Sequence, residues 1–158
     1  MPLTIYDRTG FAQEVLSKPL SNKINLVLNP CNCSGIWNIP FQKDLSQYNP
    51  LPEQRYRDWF LKNEKWQVGN GQLVKLPDNV WVLNFLISSD QDSKEKLQVL
   101  YPKITKLLQD NPGMYVSYAY QPPFSDLVVD KVGFFQDLIA HSTVVTDSRG
   151  LYVFYEPF

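Results

Sequence analysis

The residue types best suited to chemistry crowd into one stretch, Asn29-Pro30-Cys31-Asn32-Cys33-Ser34-Gly35-Ile36-Trp37-Asn38. The carboxamide of Asn32 offers both donors and an acceptor, a set that can match sugar hydroxyls. Asn also satisfies backbone groups in tight turns, so Asn32 reads either as a ligand contact or as a turn-former. Cys31 and Cys33 form a Cys-x-Cys pair. Zinc wants four Cys or His ligands, and the chain's single His, His141, lies far along it. A disulfide across one intervening residue is strained, and a nucleophilic thiol needs a base that is not visible here. The two are read as small buried residues flanking Asn32. Trp37 either stacks on a base or sugar or fills space beside the loop. No metal and no cofactor is predicted.

The other chemistry-bearing residues have plain roles. His141 sits at a predicted helix end, where the helix dipole favours a cation. Asp126 and Asp137 share no obvious helical face, the first lying before the helix, and with Asp130 they read as solvated caps. Asp90, Asp92 and Glu95 make a helix start, lacking the Gly and bidentate Glu of a calcium loop. The net charge of −1, without a basic stripe, argues against nucleic acid as the main partner. No apolar stretch approaches the ~20 residues that span a bilayer, so no membrane is predicted either. Met1-Pro2-Leu3-Thr4 lacks the basic-then-apolar run of a signal peptide, and the expected location is cytoplasmic.

A core must position that loop. At 158 residues the chain suits one domain, 1–158. Strand and helix patterns alternate, which predicts a sheet covered by helices on both sides. Leu3–Tyr6 reads as a short first strand and Phe11–Leu16 as a helical turn. Ile24–Leu28 is apolar enough for an interior strand, with Asn29–Asn38 the loop after it. Pro52–Lys62 reads as a helix, with Pro52 acceptable in its first turn and Tyr56, Trp59 and Phe60 at i, i+3, i+4. Gln72–Leu76 and Val80–Ile87 flank the turn signal Pro77-Asp78-Asn79 as a hairpin whose second strand is central. Asp92 and Glu95 open a helix carrying Leu97, Leu100, Ile104, Leu107 and Leu108 on one face. Met114–Tyr120 is a strand, Lys131–His141 a helix and Leu151–Tyr155 a last strand. Ligands of open α/β sheets bind beyond the carboxyl ends of strands, which singles out the loops after Leu28, Ile87 and Tyr120.

The first of these loops resembles the cysteine-asparagine-cysteine-x-glycine loop of macrodomains close to the yeast-type ADP-ribose 1″-phosphate phosphatases. The order of elements along nearly the whole chain is similar too, including the Ser88-Ser89 that follows the hairpin. The resemblance implies a three-layer α/β/α macrodomain-like fold with a central mixed sheet. It implies that Asn32 hydrogen-bonds the distal ribose, that Gly35 lets the backbone approach the ligand, and that Ser34 with the Gly35 and Ile36 N–H groups donates to a phosphate. Asn29, Trp37, Ser88 and Ser89 complete the expected ligand-binding set.

The chain departs from that pattern at defined places. The glycine-rich run that wraps a diphosphate is here Ile36-Trp37-Asn38-Ile39-Pro40, where Pro40 removes a donor. The second glycine loop is Pro122-Pro123-Phe124-Ser125-Asp126. Asn29 stands where phosphatase-like relatives carry a His, and an amide cannot act as a general base. Phe11 occupies the place of the acidic residue that clasps adenine, with Asp7 or Glu14 as substitutes. The expected function is a binding module for ADP-ribose or a related nucleotide with little or no turnover. One alternative is a hydrolase of ADP-ribose 1″-phosphate or protein-linked ADP-ribose, with Asp7 or Asp126 as base. The other is a degenerate macrodomain with a protein partner, its pocket filled by Trp37 and Phe124.

Overall fold

The structure is a computed structural model, and it describes residues 3–7, 23–37, 40–86, 99–120 and 151–155. Six strands form one mixed sheet: β1 (Leu3–Asp7), β2 (Asn25–Cys31), β3 (Gly71–Leu76), β4 (Val80–Leu86), β5 (Tyr115–Tyr120) and β6 (Leu151–Tyr155). Their spatial order is β1-β6-β5-β2-β4-β3. All neighbours are parallel except β3 and β4. The β3–β4 hairpin is the one expected, and its second strand is interior, between β3 and β2. Asp78 and Asn79 turn it with φ of 63° and 61°, a conformation these two residue types tolerate.

Strand alternation divides the core between two faces. Val27 and Cys31 of β2 join Val80, Val82 and Leu86 of β4 and Val74 and Leu76 of β3 in one buried cluster. Two helices cover it: α1 (Pro40–Tyr48) gives Phe41 and Leu45, and α2 (Leu51–Lys62) gives Tyr56. Leu26, Leu28, Leu83 and Phe85 alternate to the opposite face and are also buried. On α3 (Leu100–Asp110), Leu100, Ile104 and Leu108 form a buried stripe at i, i+4, i+8.

Two elements differ from the sequence expectation. β2 runs on to Cys31, pairing with β4 as far as Cys31↔Leu86. Pro30 fits because β5 pairs only as far as Leu28↔Tyr118, and a strand unpaired on one side can hold a residue without an N–H. The second difference is α1, to which the sequence analysis assigns no element. Pro40 opens this helix, where its missing donor is one the helix would leave unpaired anyway. The expected helix start at Asp92 and Glu95 and the helices at Phe11–Leu16 and Lys131–His141 lie outside the described residues.

A row of carboxamides crosses the buried face. Asn29, Asn84 and Gln72 are in register on β2, β4 and β3. Asn29 Nδ2 donates to Asn84 Oδ1 (2.8 Å), and Asn84 Nδ2 donates to Gln72 Oε1 (3.2 Å) and the Pro52 carbonyl (3.1 Å). Gln72 Nε2 donates to the Arg55 carbonyl (3.0 Å). Asn29 and Asn84 are fully buried, and an amide there is costly unless it is paired. Asn84→Leu should therefore lower stability by about 1–3 kcal/mol, since it strands the Asn29 amide. The Asn29→Leu/Asn84→Leu double variant should cost less than the two singles summed. Urea unfolding of all three checks this, and strictly additive losses would show that the amides do not depend on each other.

Candidate functional site

The carboxyl ends of β2, β4 and β5 point to the same edge of the sheet, because these strands are parallel. Of the three loops leaving them, the described one is 32–37, after β2. The loops after β4 and β5, with Ser88, Ser89, Phe124 and Asp126, lie outside the described residues, as do Phe11 and Glu14.

Asn32 is the hub of this loop. Its Oδ1 accepts from the Ser34 N–H (2.9 Å) and the Ile36 N–H (3.2 Å), and its Nδ2 donates to the Ile36 carbonyl (2.7 Å). Tyr56, buried on α2, donates its hydroxyl to the Asn32 carbonyl (2.7 Å) and lies 3.0 Å from Asn32 Oδ1. The side chain expected to meet a ligand thus holds its own loop. The Ile36 N–H, expected to grip phosphate, is turned inward onto Asn32.

Gly35 has φ of +77°, and a Cβ there would lie 2.7 Å from the Phe60 ring. Phe60 takes the space that the absent side chain leaves. Trp37 is 6% exposed, and its indole N–H donates to the Gln42 carbonyl (2.9 Å) and Ser46 Oγ (2.8 Å) on α1. Its ring meets Tyr56 at 5.5 Å, so it offers little surface to a ligand. Tyr56 in turn meets Trp66 at 5.6 Å, and Trp66 meets Phe60 at 5.4 Å. The Trp66 indole donates to the Cys33 carbonyl (3.1 Å), and buried Gln42 donates to the Pro30 carbonyl (3.3 Å).

Outward, the loop shows Ser34 and Ile36, with Phe60 and Leu61 of α2 also exposed. A cavity of about 390 Å³ is lined by Gln67, Val68, Asn70 and Val99. It lies at the end of β4, since the Leu86 N–H donates to the Asn70 carbonyl and the Gly69 N–H to the Leu86 carbonyl. Lys103 donates to Asn70 Oδ1 (3.3 Å) beside it. Asn29 is buried under the sheet's helical cover.

No family model and no curated protein sequence matches the chain. Its shape does have relatives. A macrodomain protein of Streptomyces coelicolor aligns with a TM-score of 0.72 at 19% identity, over 96% of this chain and 97% of its own. The fold is that of a macrodomain. The Mycobacterium tuberculosis DarG macrodomain aligns with a TM-score of 0.64 at 17% identity, over 98% of this chain and 99% of its own. Thermosipho africanus DarTG, in a structure that contains ADP-ribose, aligns at 0.62 and 13% identity over 87% of this chain and 39% of its own. Among the described residues no helix is long and apolar enough to cross a membrane.

Sequence reading of this macrodomain fold found the loop but missed three residues that shape it. Tyr56 and Phe60 carried only the helical spacing of core residues, and Gln42 had no signal once α1 went unread. Gly35→Ala should lower stability by about 1–2 kcal/mol from its left-handed backbone alone, and by more from the Phe60 contact. Phe60→Leu in the same chain should recover the second part. Thermal melts check this, and an unchanged Tm would mean the loop relaxes freely at Gly35.

Burial holds two acids beneath the loop in their neutral forms. It pushes the Cys31 thiol well above its usual range. It pushes the Tyr56 phenol up as well, helped by the neighbouring Cys31 and opposed by a hydrogen bond from the Gly35 backbone. A folded-state pKa above the unfolded one gives stability that is full at low pH and is lost as pH rises. From these two groups stability should be flat between neutral pH and about pH 8.5 and fall above it, more steeply beyond about pH 10, the unfolded Cys and Tyr values. Tyr56→Phe should flatten the steeper part in urea titrations across this range, and an unaltered slope would refute the assignment.

Proposed function

We propose that this macrodomain-fold protein is a binding module for ADP-ribose or a related nucleotide, with little or no turnover, working in the cytoplasm. One observation carries the reading: the Cys-Asn-Cys-Ser-Gly loop lies at the carboxyl edge of the parallel strands, where open α/β sheets take ligands, in a fold whose DarTG neighbour contains ADP-ribose. Asn32, Ser34, Gly35 and Ile36 form the near wall of the proposed site. Ser88 and Ser89 are its proposed contacts from the next loop.

The low turnover follows from what this wall can titrate. Asn29 is a buried amide, and Cys31 and Tyr56 are held protonated. None of the three can take a proton from water near neutral pH. A hydrolase of ADP-ribose 1″-phosphate or protein-linked ADP-ribose would draw its base from another loop. Exposed Ile36, Phe60 and Leu61 favour a second reading, in which this edge meets a protein partner.

Calorimetric titration with ADP-ribose, ADP-ribose 1″-phosphate and AMP tests the proposal. A Kd in the micromolar range, about −8 kcal/mol, is expected for ADP-ribose, with no product formed on long incubation. Absence of heat with all three, from a folded sample, would remove ADP-ribose and leave the protein-partner reading. Steady product formation would replace the binding module with the hydrolase.

A further inference from the structure

We propose that Tyr56 is the positioning residue of the ligand-binding loop: its hydroxyl holds Asn32, and the turn built on Asn32, in the arrangement that binds. The inference rests on the nucleotide-binding reading and adds to it a fully buried residue of α2. A buried tyrosine hydroxyl needs a hydrogen-bond partner, and any nearby carbonyl would serve. Here the hydroxyl reaches the hub of the turn. It donates to the Asn32 carbonyl at 2.7 Å and lies 3.0 Å from Asn32 Oδ1. That same Oδ1 accepts from the Ser34 and Ile36 N–H groups, at 2.9 and 3.2 Å. The Gly35 backbone hydrogen-bonds the phenol as well. One hydroxyl thus touches the turn at its start and at its glycine.

Tyr56 can place the loop because it is itself firmly placed. Its ring lies between Trp37 and Trp66, at 5.5 and 5.6 Å. Its helix is pinned to the sheet just before it, where the Pro52 and Arg55 carbonyls accept from Asn84 and Gln72. The loop it meets is less constrained, with exposed Ser34 and Ile36 on either side of Gly35. Support from behind keeps contact residues in their productive geometry, and order imposed beforehand is a cost that binding no longer carries. Removing the hydroxyl separates these effects. The Asn32 side chain keeps its own bonds to Ser34 and Ile36, so the turn survives as a turn. Trp66 still holds the Cys33 carbonyl. What is lost is the tie that fixes Asn32 relative to α2.

Tyr56→Phe keeps the ring and removes only the hydroxyl. Its affinity for ADP-ribose, measured by calorimetry on the folded full chain, should fall by about tenfold. Exchange of the Ser34 and Ile36 amide hydrogens, followed by NMR, should quicken by about the same factor. Ile104→Val, on α3 and outside the cluster that holds Tyr56, is the control. It should lower stability through its lost methylene and alter neither readout. A folded Tyr56→Phe variant that binds ADP-ribose as tightly as the unaltered protein overturns the inference. So does an equal loss of affinity in Ile104→Val, which would trace the effect to stability alone. If Tyr56→Phe does not fold, the unaltered protein decides. The Tyr56 hydroxyl proton should persist as a slowly exchanging signal at saturating ADP-ribose, and its loss on binding would show that the ligand breaks the tie. No heat from ADP-ribose with the unaltered protein sinks the nucleotide reading instead. The exchange rates then decide alone whether Tyr56 holds the loop, and unchanged rates in Tyr56→Phe overturn that too.

Discussion

The geometry of the candidate site traces back to the carboxamide row Asn29–Asn84–Gln72, whose first two members are fully buried. A strand can slide by two residues and keep its apolar face inward. A buried amide cannot slide, because each mismatch strands a polar group. The row therefore fixes β2 against β4 and β3, which in turn fixes Cys31 as the last paired residue and Asn32 as the first of the loop. The same amides end on the Pro52 and Arg55 carbonyls, in the first half of α2. They set the height of that helix along the sheet, and the helix delivers Tyr56 to Asn32.

From Tyr56 outward the constraint passes through aromatic contact and not through charge. Trp37, Tyr56, Trp66 and Phe60 form a continuous series of ring contacts under and beside the loop. Tilted and edge-on pairs of this kind add modestly to the area they bury. Their larger effect is positional: Trp37 ties the loop's far end to α1 through Gln42 and Ser46, and Trp66 ties Cys33 at its near end. The loop is held at both ends and through its middle. Trp37, standing within the segment where a glycine run was expected, thus serves as a fastening.

How much of this the sequence disclosed depended on whether the signal was local. The hairpin was legible because Pro77-Asp78-Asn79 carries its own turn chemistry. The strand patterns and the Tyr56–Phe60 helix were legible from periodicity. The end of β2 was not, because Asn29 and Pro30 both argue for loop on propensity, and only pairing with β4 on one side overrides them. Helix α1 was missed because Pro40 reads as a breaker until its place in the first turn is known, and because Phe41 and Leu45 are too few to mark a stripe. Asn32 was legible as a polar group of consequence, but local pattern cannot tell a side chain that faces a ligand from one that faces its own backbone. That distinction rests on Tyr56, twenty-four residues away.

A loop so fully satisfied by its own side chain has a consequence for recognition. Binding costs include the ordering of loops and side chains at the site, and a loop already locked by Asn32, Tyr56 and Trp37 has little left to order. The same lock removes the adaptability with which a glycine-rich backbone closes around a diphosphate, so what is gained in preorganisation is lost in reach. A wall of this kind would recognise a ligand by shape and by a few fixed polar groups. Chemistry on a bound phosphate would call for oriented donors at this position, and the structure has turned them inward. The loop's polar groups thus serve its own backbone, and its rigidity comes from Asn32 and Tyr56.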